Sequence, residues 1–406
     1  MRNTLPTNCR IHRMIFFFLL VAFCSQTQPV WSYESKTFLT HLTTDDGLSQ
    51  NTVVSVHKDK KGQMWFGTWD GLNKYDGYHF TIYKSNSDPA DDNSPLHTRV
   101  DWIQEDNYGF LWVKTYDDLL YRFDPSRDYF LRITCRKKEN KEKPLESIRN
   151  VWVLHNGDVW CSLQKGGTYL VRTNPETKAL TVFQPLSAPP LNRLGNLNQV
   201  FLDSKGATWL LGENGLARQL KTEDHPVMIL KKALARASVP TAFYCLLETA
   251  TDLYFGGSNG NLWNYDKAAH TIRPLQTGIN SRIVCLRKMP DNRVMAASSD
   301  NGFFIYNPCT DQLAHYAKDH HPSMLSNRIS GAYVDRYGDI WLSTDQPGVM
   351  RFQPEKAIFT HLWLKTPNEK RSGAQQTSFF MFEDVTGTLW VHTKEGMEVR
   401  STCPVN

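Results

Sequence analysis

The sequence has no sustained helical period of apolar residues beyond a weak candidate at Val227 to Ala237, which argues against bundles and doubly wound sheets. No apolar run approaches the ~18 residues of a membrane helix, since the longest, Ile15 to Phe23, is too short. Its 8 cysteines form no C-x-x-C pair, which removes zinc ribbons and thioredoxin-type redox motifs. G-x-S-x-G, H-E-x-x-H, P-loop and dinucleotide fingerprints are all missing, so no catalytic centre, cofactor or metal site is expected. Charge of one sign is also scarce. Of the net +5, Arg2, Arg10 and Arg13 supply three, and the remainder is no nucleic-acid footprint.

Those three arginines precede Ile15 to Phe23, the order of a secretory leader, and Val30-Trp31-Ser32 offers small residues for cleavage after Ser32. Residues 1–32 are therefore expected to be a signal peptide and the mature chain to be periplasmic. Cys24 follows Val21-Ala-Phe23, a poor lipobox, which leaves lipid anchoring a minor alternative. The mature cysteines are Cys135, Cys161, Cys245, Cys285, Cys309 and Cys403, all expected as buried free thiols. Cys245 and Cys285 sit at the same place in adjacent repeats, where the first strands are expected to lie beyond the ~7 Å Cα separation a disulfide allows.

What the chain does have is a repeat. A D-x-x-G turn, a short apolar strand centred on Trp, a D-G-L turn and a strand ending on an aromatic recur, most clearly in Asp59 to Tyr75. Eight copies centre on Trp65, Trp112, Trp160, Trp209, Tyr254, Met295, Trp341 and Trp390, at intervals of 41 to 49 residues. Each unit reads as four short strands punctuated by Gly, Asp, Asn and Pro. Four antiparallel strands per ~45-residue period make the blade of a β-propeller. The repeated Trp is expected to fill the wedge between blades, and the Gly after it to allow close backbone approach.

Phe38 to Leu42 and Phe359 to Leu362 both read as outermost strands. If the first completes the blade centred on Trp341, the ring closes at seven blades over 33–358. Residues 359–406 then begin a second, incomplete propeller. An eight-bladed ring is the alternative.

Binding residues are sought at one mouth of the ring, in the loops entering each first strand and those joining second to third strands. The second set contributes Trp69 and Asp70, Tyr116 and Asp117, Lys165, Glu213 and Asn214, Asn259, Asp300 and Asn301, and Asp345 and Gln346. Such a mixture suits hydroxyl-rich ligands, although Asp and Asn are also what these turns require by themselves. At the strand starts, Arg99, Arg149, Arg282 and Arg328 come to nearly one structural place in four blades. Arg is the preferred bidentate partner of carboxylate and sulfate groups, unless each is consumed by an acidic neighbour. The candidate ligand-binding set is Trp69, Asp70, Arg99, Trp102, Tyr116, Asp117, Arg149, Arg282 and Arg328.

Asp45-Asp-Gly-Leu-Ser-Gln-Asn-Thr-Val53 followed by Trp65-Phe-Gly-Thr68, Gly71-Leu72 and Tyr75-Asp-Gly77 resembles the periplasmic sensor region of hybrid two-component systems of gut Bacteroidetes, built from two-component regulator propeller repeats. The resemblance spans almost the whole mature chain and is degenerate where Tyr254 and Met295 replace Trp. It implies a receptor, homodimeric in full-length relatives, that senses glycan breakdown products and drives a kinase controlling polysaccharide-utilisation genes. The expected ligand is an oligosaccharide, acidic if the arginines are its partners. Ending at Asn406, the sequence lacks the second propeller, membrane helix and kinase of that plan, and a truncated form is expected. Two alternatives stand beside it. One is a secreted lyase resembling virginiamycin B lyase, which needs a His near mouth carboxylates, with His97 and His155 the nearest. The other is a propeller that docks a protein.

Overall fold

The structure is a computed structural model and describes residues 38–85, 97–136, 142–165, 167–183, 193–220, 227–228, 242–269, 271–319, 321, 323–354, 378–383, 388–393 and 396–401. The chain divides into two compact units, Met1–Lys356 and Ala357–Asn406. Short strands, most of four to six residues, alternate with tight turns in the first unit and assemble into seven four-stranded antiparallel sheets.

The blades run in chain order, and their inner strands are Val53–Lys58, Val100–Glu105, Ile148–Val153, Leu197–Leu202, Phe243–Glu248, Ile283–Lys288 and Ile329–Val334. Each inner strand neighbours the next, and the last neighbours the first, so the ring is closed. Its closure is the one expected. Phe38–Leu42 pairs antiparallel with Val349–Gln353 as the outer strand of blade 7, from Phe38 opposite Gln353 to Leu42 opposite Val349. An eight-bladed ring is thereby excluded. The helix candidate at Val227 to Ala237 is corrected at its start: Val227–Met228 is the outer strand of blade 4, and the rest lies outside the described residues. A sheet partner overrides local preference there. The strand expected at Phe359 to Leu362 also lies outside them. A small hairpin, Thr134–Arg136 with Glu142–Pro144, is inserted between blades 2 and 3.

Seven apolar clusters hold the first unit, one in each wedge between neighbouring blades. The repeat centres lie in them. Trp65, Trp112 and Met295 are fully buried and Tyr254, Trp209 and Trp341 nearly so. Trp65 packs on Val100, Ile103 and Phe123 of the next blade, and Met295 takes the same role against Ile329 and Phe352. Substituting Met for Trp works because the flexible thioether chain still fills the wedge.

The D-x-x-G aspartate does more than turn the chain. Asp59 accepts from the backbone N–H groups of Lys61 and Gln63 at 2.9 Å and from the Trp65 indole at 2.8 Å. Asp106 and Asp203 repeat all three bonds, binding Trp112 at 2.9 Å and Trp209 at 2.8 Å. One carboxylate thus fixes the turn and satisfies the only polar atom of the buried ring. Blade 3 shows the converse. Leu154 stands where the aspartate would be, and Trp160 is only half-buried. In blade 7, Asp335 makes the two backbone bonds, but Trp341 Nε1 has no partner among the described residues.

Gly67, after the first Trp, allows the close approach expected of it: a Cβ there would meet the Val100 carbonyl oxygen at 2.8 Å. Cys135, Cys161, Cys245 and Cys285 are buried free thiols, and burial pushes Cys161 up to about 12 and Cys245 further. Cys309 departs from the expectation, being free but exposed in the turn before the outer strand of blade 6. Cys403 lies outside the described residues. In the second unit, Ser378–Glu383, Thr388–Thr393 and Gly396–Ser401 form a three-stranded antiparallel sheet.

Candidate functional site

A bulge sets the geometry of the ring centre. In every blade the inner strand pairs with the second strand at its first residue and then skips one. Val53 faces Thr68, but the next pair is Ser55 with Gly67. The residues left unpaired are Val54, Asp101, Arg149, Asn198, Tyr244, Val284 and Ser330, one per blade. The sheet of the second unit skips Phe379 in the same way. A bulge puts one extra residue on one strand and inverts the alternation beyond it.

The turns joining second to third strands lie beside the strand entries. Backbone bonds tie them together: Trp69 N–H to the Thr52 carbonyl at 3.3 Å, Tyr116 to Arg99 at 3.1 Å, Glu213 to Asn196 at 3.1 Å and Ser299 to Arg282 at 2.9 Å. The result is a mouth made of three concentric rings: bulge residues, strand entries and turn residues. A cavity of about 790 Å³ opens there. The entries line it with Thr52, Arg99, Arg282 and Arg328, the bulges with Val54, Arg149, Asn198, Tyr244, Val284 and Ser330, and the turns with Trp69, Glu213, Asp300 and Asp345.

The cavity therefore gathers Trp69 and all four arginines from the sequence-based set. Their settings differ. Arg99 lies with its guanidinium 4.7 Å from the Trp69 ring and 4.4 Å from the Tyr116 ring, while its Nε–H donates to Asp101 at 2.8 Å. Arg282 rests 4.8 Å from the Tyr244 ring. Arg149 donates to Glu213 of the next blade at 3.0 Å, and Arg328 lies 3.0 Å from Asp345 and 3.7 Å from Asp300. The expectation of a single arginine position is corrected: Arg99, Arg282 and Arg328 immediately precede their strands, whereas Arg149 is a bulge residue. The entry equivalent to Arg99 in that blade is Ser147, whose carbonyl takes the bond from the Gln164 N–H.

Four candidates lie off the cavity lining. Trp102 packs into the wedge between blades 2 and 3, because the bulge at Asp101 turns it there. Asp70 is paired with Lys84, and Asp117 accepts from the Thr115 hydroxyl at 2.5 Å. Tyr116 is exposed and stands behind Arg99, with the His97 ring 5.4 Å away. His155 lies in the exposed turn between the inner and second strands of blade 3, away from the mouth. Sequence reasoning missed Tyr244, Asn198 and Ser330. The signal was the second residue of each inner strand, hidden because nothing in the sequence marks the bulge.

A family model described as two component regulator propeller matches residues 47–70, so the chain carries that repeat. A histidine kinase, P4 of Formosa agariphila, is 42% identical over 81 residues, covering 20% of this chain and 5% of that protein. The extracellular domain of the hybrid two component system BT3049 of B. thetaiotaomicron is similar in fold, with a TM-score of 0.64 and 19% identity over 90% of this chain and 48% of that one. Virginiamycin B lyase of Staphylococcus aureus is also similar, with a TM-score of 0.57 and 13% identity over 78% of this chain and 99% of the lyase. The chain thus spans about half the length of that extracellular domain, and these two likenesses show the fold.

Proposed function

We propose that this chain is the periplasmic ligand-sensing propeller of a hybrid two-component system, and that its mouth takes a glycan-derived oligosaccharide whose binding is relayed to polysaccharide-utilisation genes. The observation that carries the reading is the convergence of Trp69 and four arginines, from five blades, on one cavity. Its volume of about 790 Å³ lies inside the ~300–1,000 Å³ range of small-molecule sites. The indole of Trp69 is 49% exposed and offers a platform for a sugar ring. Asn198, Ser330 and the mouth carboxylates offer the fixed polar groups that hydroxyls require. Export is supported by the leader pattern before Phe23 and by the fold's likeness to extracellular sensor domains. The module binds without turning its ligand over.

Thermal melting against a panel of oligosaccharides, followed by analysis of the sugars recovered, tests this. A ligand-dependent rise in melting temperature, lost in Trp69→Ala, with the sugars unchanged, is the expected result. Released product would establish the lyase reading instead. No shift with any sugar, neutral or acidic, would leave the mouth without this function.

A further inference from the structure

The four mouth arginines divide into two kinds, and the division identifies the ligand's chemistry. A guanidinium has two faces and an edge of N–H donors, and only the edge can make bidentate bonds to a carboxylate or sulfate. Arg149 and Arg328 have edges engaged by Glu213 and Asp345. Arg99 and Arg282 are held by their faces. Arg99 stands between Trp69 and Tyr116 and is ion-paired through Nε–H with Asp101 at 2.8 Å, which leaves both terminal nitrogens without a partner among the described residues. For Arg282 the Tyr244 ring is its contact among the described residues, no carboxylate pairs with it there, and it lines the cavity. Aromatic faces hold a guanidinium in place and leave its terminal N–H donors available, so little side-chain freedom is lost when an anion arrives.

Resting on the reading of the mouth as an oligosaccharide site, we propose that Arg99 and Arg282 are its anion receptors and that the ligand carries acidic groups on at least two separate sugar residues. Arg99 belongs to blade 2 and Arg282 to blade 6, three blades apart around the ring of seven. Two receptors set this far apart around the ring suit a chain of sugars bearing an acid towards each end, each acid taking the bidentate edge of one guanidinium. Of the mouth carboxylates, Glu213 and Asp345 are held at 3.0 Å by Arg149 and Arg328, and Asp300, on the blade that carries Arg282, lies 3.7 Å from Arg328.

The test uses the full chain and calorimetric titration with three probes: a galacturonic acid trimer, its methyl ester, and the galacturonic acid monomer. A sulfated chondroitin tetrasaccharide provides a second anion chemistry. At least one acidic oligomer should bind tenfold or more tightly than the ester and the monomer. Arg282→Gln and Arg99→Gln should each weaken it about tenfold, while Arg273→Gln, a surface arginine outside the mouth, should change nothing. Raising salt from 50 to 300 mM should weaken the acidic oligomer and leave neutral sugars unaffected. Equal binding of acid and ester, or a neutral oligosaccharide bound in a Trp69-dependent way with no acidic oligomer bound, would overturn this proposal and leave the mouth reading intact. Binding of neither acidic nor neutral sugars would remove both. The acid–ester comparison on the unaltered protein decides the matter even where an arginine variant folds poorly.

Discussion

The two ends of the ring follow opposite rules. At the end of each inner strand, the D-x-x-G turns of blades 1, 2 and 4 repeat one another bond for bond around Asp59, Asp106 and Asp203. At the mouth the blades diverge, with only the arginine entries of blades 6 and 7 shared between neighbours. The strand entries are Thr52, Arg99, Ser147, Asn196, Arg282 and Arg328, and the turn positions include Trp69, Tyr116, Glu213 and Asp345. Both ends are made by the same strands with the same period, so the backbone does not explain the contrast. Where each unit must pack against an identical neighbour, the side chain is dictated by the wedge. At the mouth that demand ends at the first residue of the strand, and composition is free to serve a ligand.

The comparison can be broken by exchanging the consequences. Trp112→Ala should cost the most, about 3–5 kcal/mol in denaturant unfolding, because it empties the wedge between blades 2 and 3 and strands Asp106. A stability loss under 1 kcal/mol would show that the wedges do not carry the fold.

A second effect is set by pH. His57 is half-buried on blade 1 and accepts from the Glu105 N–H at 3.2 Å. Burial, with Arg287 nearby, pushes its pKa down from 6.5 to about 4. The unfolded chain takes up a proton at pH 6.5 and the native one does not. Stability from this group is therefore full above 6.5 and falls by about 1.4 kcal/mol per pH unit down to about 4. His57→Gln should flatten that stretch of the pH–stability curve; an unchanged slope would show that His57 is not held neutral.

Asp106→Ala comes next. It removes the acceptor of the Trp112 indole and of two backbone N–H groups, at about 2–3 kcal/mol. The same loss should be absent in blade 3, where Leu154 already occupies the position. The smallest stability effect belongs to the mouth. Trp69→Ala should change unfolding free energy by no more than about 0.5 kcal/mol, while abolishing the ligand-induced rise in melting temperature. A large destabilisation by Trp69→Ala would mean that the mouth, too, is built for packing.

Much of the wall was legible from residue type. Trp65, Trp112 and Met295 could be assigned to wedges from spacing alone, because a large apolar side chain recurring once per blade has one place to go. Phe38 to Leu42 could be assigned to blade 7, because a ring leaves one outer strand to fill. The site was legible in part. Trp69, Arg99, Arg282 and Arg328 stood out because turns and strand entries at a mouth need neither indole nor guanidinium. Trp102 stands in the candidate set, and the bulge at Asp101 sends it into the wedge. Tyr244, which supports Arg282, is the skipped residue of its strand, and nothing in the sequence marks the skip.

By itself the sequence determined the period, the four-stranded unit and the residues filling the wedges, since these follow from local patterning repeated often enough to be unambiguous. The pairing of Phe38–Leu42 with Val349–Gln353 decided between seven and eight blades. Only the tertiary structure decided which side chains meet at the mouth and how they are engaged. One skipped pairing in each inner strand reverses the direction of every residue beyond it. Whether an arginine spends its edge on a carboxylate or lays its face on an aromatic ring depends on the neighbouring blade, some 30 to 70 residues away along the chain.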